Sequence, residues 1–220
     1  MTQKEKRTRI AAIAQALAEI YPVPVCALES GGDPWKLLVM GRLSAQCTDA
    51  RVNIVCRELF QKYPTAYDLA CAKIEDVERI VHPCGFFRAK ARNIVDASRM
   101  LLEKYDGRMP QSMEELLLFP GVGRKIANLL RGDLFGLPAI VADTHCIRLC
   151  GRFGMYPERE KNPTRVEQIL TKLVEPHEQS DLCHRLVQFG RDVCTARSPR
   201  CAECPLNTLC EKGRKTNGSI

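Results

Sequence analysis

Lys125 closes the run Leu118-Phe119-Pro120-Gly121-Val122-Gly123-Arg124-Lys125, two residues beyond the second of two glycines. Pro120 ends one helix, because a proline pushes the residue before it out of the helical region. The Gly121-x-Gly123 spacing permits a tight reversal and close approach by another backbone. A second helix opens near Gly123 and carries its apolar face through Ile126, Leu129 and Leu130, with Val122 packing the tip. The first turn of that helix leaves amides unshielded by side chains, and such a turn takes a phosphate through its N–H groups and its dipole. The same dipole, with Arg124 beside it, disfavours a further cation at Lys125, which is one route to a nucleophilic amine. Asp143 follows in Val141-Ala142-Asp143-Thr144-His145, behind the Gly/Pro-containing loop Phe135-Gly136-Leu137-Pro138. An aspartate at a helix start serves as an N-cap as readily as a catalytic carboxylate. An amine and a carboxylate suit covalent catalysis with general-base help. The plainer alternative is a helix-turn-helix corner followed by a helix cap.

Cys194-x6-Cys201-x2-Cys204-x5-Cys210 is the second chemical signature. These four of the 12 cysteines fall within 17 residues, in a segment turned by Pro199 and Pro205, so the loop wraps around something. Four thiolates bind zinc tetrahedrally or an iron–sulfur cubane, and the spacing leaves both open. The other eight, at 26, 47, 56, 71, 84, 146, 150 and 183, are scattered among Val, Leu, Ile and Ala and read as small buried hydrophobes.

These groups must be positioned by helices, since strand-like alternation is absent and helical periodicity is widespread. Ile10, Ile13, Leu17 and Ile20 form one stripe. Asp33-Pro34 opens a helix through Trp35, Leu38 and Val39, with proline at its first position. Thr48-Asp49 caps the next, whose apolar face is Val52, Val55, Cys56 and Leu59. Ile74, Val77, Ile80 and Val81 mark another, and Ile94, Val95 and Leu101 a further one. Ser112-Met113-Glu114-Glu115 is a capping box whose helix runs on through Leu118. Residues 164–173 and 182–189 supply the late helices. The pattern predicts an all-α protein of about ten short helices.

At 220 residues and 45% hydrophobic, the chain is long enough for one large domain or two lobes. No apolar run approaches the roughly 18 residues of a membrane span. The polar opening Met1-Thr2-Gln3-Lys4-Glu5-Lys6 lacks the apolar core of a secretory signal, which predicts a cytoplasmic protein without a disulfide framework. A formal charge of +7 favours a polyanionic partner, although a bound cluster would reduce it.

Residues 118–128 (LFPGVGRKIAN) followed by Ala142-Asp143-Thr144-His145 resemble the helix-hairpin-helix, Gly/Pro-loop, aspartate superfamily of DNA glycosylases, and within it the endonuclease III family. Leu43-Ser44-Ala45-Gln46-Cys47-Thr48-Asp49 is similar to that family's LSAQ-x-TD segment, and Gly85-Phe86-Phe87-Arg88-Ala89-Lys90-Ala91 to its GxY/F-x-x-KA segment. The segments occur in the family's order, and the resemblance runs from about residue 5 to 212. It implies an all-α, two-lobed fold with a DNA cleft between the lobes. One lobe is a six-helix barrel over 27–137. The other joins 1–26 to 138–220 and holds a [4Fe–4S] cluster on Cys194, Cys201, Cys204 and Cys210.

The resemblance also implies a monomeric glycosylase and AP lyase of base excision repair, acting on oxidised pyrimidines in double-stranded DNA and on abasic sites, in the cytoplasm at the nucleoid. Lys125 matches the family's Schiff-base lysine and Asp143 its essential aspartate. Gln46 matches the residue that enters the gap left by a flipped nucleotide, Phe86 an apolar wedge, and His145 a position near the lesion pocket. Gly121, Val122, Gly123 and Arg124 would meet a backbone phosphate, and Arg191, Arg197 and Arg200 would face the DNA backbone from the cluster loop. The chain departs from the family pattern at Gly41-Arg42, at His82-Pro83-Cys84 and at Arg131-Gly132-Asp133. Those departures keep a mismatch glycosylase for G·T or G·U pairs as an alternative. A non-catalytic DNA-binding relative is a third reading.

Overall fold

The computed structural model describes residues 1–213. Eleven α-helices lie among them, with no strand: α1 (Gln3–Ile20), α2 (Pro34–Leu43), α3 (Asp49–Lys62), α4 (Ala66–Ala70), α5 (Ile74–Val81), α6 (Phe87–Tyr105), α7 (Met113–Leu116), α8 (Arg124–Phe135), α9 (Thr144–Arg152), α10 (Pro163–Thr171) and α11 (Gln179–Asp192). Short 3-10 turns occupy His82–Cys84 and Pro176–Glu178. None of the described helices is long and apolar enough to cross a membrane. The described residues separate into two compact units, Cys26–Phe135 and Met1–Val25 with the chain from Gly136 onward.

In the first unit α6 is the hub. α4 and α5 pack along it, and α2 packs on both α6 and α8. Its stripe of Ala91, Ile94, Val95 and Leu101 is buried, as are Val77 and Val81 of α5. Trp35 enters this core, and its indole N–H donates to Ser98 Oγ at 2.9 Å, so the one polar atom of a large ring is not buried unmet. The caps form where short polar side chains precede the apolar runs. Asp33 Oδ1 accepts from Lys36 N at 3.0 Å with Pro34 at the first position, and Thr48 Oγ1 accepts from Arg51 N at 3.4 Å.

Two expectations shift here. The helix at Ser112 stops at Leu116 and not at Leu118. Its end tightens into three-residue turns, Leu118 N to Glu115 O at 3.1 Å and Phe119 N to Leu116 O at 3.3 Å, as the chain prepares for Pro120. Of the scattered cysteines, Cys56, Cys84, Cys146, Cys150 and Cys183 are buried, whereas Cys71 is exposed. It lies one residue past α4, at the surface end of that helix.

In the second unit α11 packs on α1 and α9. Ile10, Ile13 and Leu17 of α1 are buried, but Ile20 is 38% exposed because the helix ends there and the stripe loses its partner. Tyr21 then takes over the anchoring. Its hydroxyl donates to Asp192 Oδ2 at 2.9 Å, while Arg185 Nε donates to the Tyr21 carbonyl at 3.1 Å.

Candidate DNA-repair site and cluster loop

The hairpin forms as the glycines require. Gly121 has φ +75°, a conformation that costs an L side chain strain, and a Cβ there would fall on Arg42 Nε and the Asn93 amide. Val122 is buried and its N–H donates to the Phe119 carbonyl at 3.0 Å, which closes the turn. That bond removes Val122 from the set of amides open to a phosphate. Among the described residues, the N–H groups of Gly121 and Gly123 have no acceptor, and both glycines are exposed. The Gly123 carbonyl accepts from Ala127 N at 3.0 Å and so starts α8. Arg124 and Lys125 occupy the exposed first turn. Free amides, a helix dipole and an exposed amine therefore meet within five residues, Gly121 to Lys125.

Gln46 and Phe86 share an unusual backbone. Their φ angles are +55° and +48°, in the left-handed region that non-glycine residues avoid, and both side chains are exposed, Phe86 to 69%. Strain of this kind persists only where the surroundings hold it. Lys90 ties together the segments that lead to these two residues, and its role is invisible in the sequence segment that contains it. The lysine is 1% exposed, and its ammonium donates to the Leu43 carbonyl at 2.9 Å and the Cys84 carbonyl at 2.7 Å. One buried cation thus pins the end of α2, which leads to Gln46, to the turn that leads to Phe86. Burial depresses its pKa, and the Cys47 and Cys84 thiols partly offset that. The available signal is that Lys90 falls on the apolar stripe of α6, beside Ala91 and Ile94.

The departures have structural roles. Gly41 lets α2 approach α8, since a Cβ there would sit 3.2 Å from Ile126 Cγ2. His82 packs tilted against Phe87, with ring centroids 4.6 Å apart and planes at 46°, and Cys84 supplies a carbonyl to Lys90. Asp133 bonds the Cys26 thiol, which burial foremost pushes up to about 12.

In the second unit Asp143 is an N-cap in fact. Its Oδ1 accepts from Cys146 N at 2.7 Å, and its own N–H donates to Val141 O at 2.8 Å. The second carboxylate oxygen is not part of the cap, so capping and chemistry are compatible. His145, Arg148 and Arg152 follow at spacings that place them on one face of α9. That face lies against Gly190 of α11, where a Cβ would fall on the His145 ring. Arg148 Nη2 donates to Gly190 O at 3.1 Å and Cys194 O at 3.1 Å, and lies 3.2 Å from His145 Nδ1. Arg152, buried, donates from Nη1 to Cys194 Sγ at 3.1 Å and Thr195 O at 2.8 Å, and from Nη2 to Ala196 O at 2.9 Å. Neither arginine was singled out by motif. Their spacing from His145 was the available signal.

Cys194, Cys201, Cys204 and Cys210 line one recess with Arg152 and Phe189, and all four are free thiols. Burial raises Cys204 and Cys210, backbone amides oppose that rise, and the neighbouring thiols add to it. Four sulfurs within charge range, met by a guanidinium and backbone N–H donors, fit a thiolate-ligated metal cluster. Arg191, Arg197 and Arg200 are exposed around this loop. The Arg200 guanidinium turns back to donate to the Asp192 carbonyl.

Residues 39–176 match the family model of HhH-GPD superfamily base excision DNA repair proteins, and residues 194–210 that of the iron–sulfur binding domain of endonuclease III. Endonuclease III of Synechocystis sp. is 43% identical over 206 residues, 93% of each chain. A solved non-covalent endonuclease III–DNA complex matches with a TM-score of 0.89 at 39% identity over 100% of both chains. A trapped endonuclease III–DNA covalent intermediate matches with a TM-score of 0.88 at 39% identity over 99% of both. The chain belongs to the HhH-GPD superfamily of base excision DNA repair proteins, and within it to the endonuclease III family, which carries a [4Fe–4S] cluster.

Proposed function

We propose that this chain is a bifunctional DNA glycosylase and AP lyase, excising oxidised pyrimidines from duplex DNA and nicking the strand through an imine on Lys125. The observation that carries this reading is the exposed Lys125 amine in the first turn of α8, directly after the acceptor-free amides of Gly121 and Gly123. A base inside a duplex is out of reach of any side chain, so the nucleotide must rotate out, at a few kcal/mol and less for a poorly stacked lesion. Gln46 and Phe86, held exposed on strained backbone, fill the space it leaves. The Gly121 and Gly123 amides take a backbone phosphate.

The Lys125 amine attacks C1′ and the glycosidic electron pair leaves with the base, which takes up a proton. Opening of the sugar ring and loss of the amine protons give the imine. The imine acidifies C2′, and loss of a proton there expels the 3′ phosphate. Water then hydrolyses the imine and returns the lysine. Asp143 is the carboxylate that stabilises positive charge on the sugar or accepts the amine proton. The four cysteines hold the [4Fe–4S] cluster, which when bound supplies a structural tie for the loop carrying Arg197 and Arg200. The protein acts at the nucleoid.

Borohydride trapping on a duplex with one abasic site tests the reading. The wild type is expected to give a covalent band that Lys125→Ala lacks. Holoenzyme that yields no band overturns the lyase assignment.

A further inference from the structure

We propose that Arg42 is a further DNA-binding residue, its guanidinium supplying the positive charge for the phosphate taken by the Gly121 and Gly123 amides. The inference deepens the reading given above and rests on it.

The side chain reaches the hairpin because of its neighbour. Gly41 lets the last turn of α2 approach Ile126 in the first turn of α8, and Arg42 then runs beneath the reversal. A Cβ on Gly121 would fall on Arg42 Nε and lie 2.6 Å from Cδ, so the arginine stem is packed directly against the glycine. Asn93 fixes the head group. With its amide oxygen toward Arg42 it accepts from Nε and from Nη2, each at 2.9 Å, and its amide nitrogen donates to the Ala89 carbonyl at 3.2 Å.

A guanidinium has five N–H donors, and Asn93 meets two of them. Among the described residues no carboxylate pairs with Arg42 and no other acceptor takes its remaining donors. Burial holds the guanidinium below its ordinary pKa, with no opposing contribution. A half-buried cation without an anion is unfavourable, and an aliphatic side chain would fill the same space without that cost. The charge is therefore placed for a ligand. The two acceptor-free amides beside it, at Gly121 and Gly123, are donors to an oxyanion, and the anion available to this fold is a phosphodiester.

The test is equilibrium binding of cluster-loaded protein to a duplex bearing a tetrahydrofuran abasic analogue, over a series of KCl concentrations. Wild type is compared with Arg42→Met, Arg42→Gln and Arg42→Lys. Arg42→Met keeps the volume and loses the charge. It is expected to bind about tenfold more weakly at moderate salt, with a log–log salt slope shallower by about one. Arg42→Gln provides the same readout should the methionine variant fail to fold. Arg42→Lys is expected to restore the slope. A folded neutral variant with the wild-type salt slope overturns the proposal, whatever happens to its melting temperature, because packing alone does not depend on counterion release. A wild type that fails to bind the duplex overturns the functional reading and this inference together. A wild type that binds, with unchanged slopes in the variants, sinks the inference alone.

Discussion

Arg152 Nη1 lies 3.1 Å from the sulfur of Cys194, at the opposite end of the helix that Asp143 caps. One helix, α9, therefore runs from the candidate carboxylate to the cluster loop. Replacing Arg152 by Leu leaves the Thr195 and Ala196 carbonyls and the Cys194 sulfur without their charged donor. The expected loss is about 3 kcal/mol, typical of breaking buried hydrogen bonds to a charged group. It should appear as a lower melting temperature and as less visible cluster absorbance per chain. Full cluster occupancy at unchanged stability would refute this role.

Asp143 combines a cap with a free oxygen, and two substitutions separate the functions. Asparagine caps as well as aspartate, so Asp143→Asn is expected to change stability by less than about 0.5 kcal/mol. Its base-release rate should fall by roughly 10²–10⁴-fold, the usual worth of a positioned acid or base. Asp143→Ala should add a stability loss of about 1 kcal/mol. If the asparagine variant keeps wild-type turnover, the aspartate is a cap only.

The two hairpin glycines should respond differently. Gly121→Ala meets both a φ of +75° and the Arg42 and Asn93 side chains, and is expected to lower stability by about 1–3 kcal/mol. A Cβ on Gly123 has nothing within 4 Å. Gly123→Ala should therefore melt like wild type yet bind abasic duplex more weakly, because the methyl would stand where the proposed phosphate approaches. Equal melting temperatures for the two variants would contradict the geometry.

Phe86 carries strain that the fold alone does not need. Phe86→Gly removes a left-handed phenylalanine that is 69% exposed, and should leave stability unchanged or up to about 1 kcal/mol higher. Excision should fall at the same time. Calorimetry and single-turnover base release on one preparation check the pair, and a variant both less stable and fully active would count against the wedge.

Alkaline pH should loosen the anchor of α1. Burial, then the bond to Asp192, pushes Tyr21 up to about 12. Its folded pKa is above the unfolded value near 10, so the folded state binds the extra proton between these limits. The contribution is complete below about pH 10 and disappears as pH rises toward 12. Melting temperature should fall less across this window for Tyr21→Phe than for wild type. Parallel curves would show that Tyr21 is not responsible.

Much of this was readable from local chemistry. Asp33-Pro34, Thr48 and Asp143 announce helix starts through groups that cap their own backbone, and the hairpin is set by glycines that adjoin in sequence. The positions of Lys90, Arg42 and Arg152 are marked in the sequence but their roles are not readable there, because those roles lie in partners distant along the chain. The Leu43 carbonyl, the Gly121 backbone and the Cys194 sulfur give no sign beside them. Leu117 and Leu118 misled for a related reason. Their apolar character extended a helical stripe, but the chain turns toward Pro120 and leaves them 39% and 62% exposed. Similarly, the sequence groups Val122 with the phosphate-facing amides, and only the fold shows its N–H donating to the Phe119 carbonyl.

Because the Lys90 ammonium grips the carbonyls of both Leu43 and Cys84, the stems below Gln46 and Phe86 are held at a set separation. A pair of probes on one rigid yoke behaves as a caliper. On the roles proposed for Gln46 and Phe86, it would fit a stack parted by a particular span and gain nothing from one parted by less.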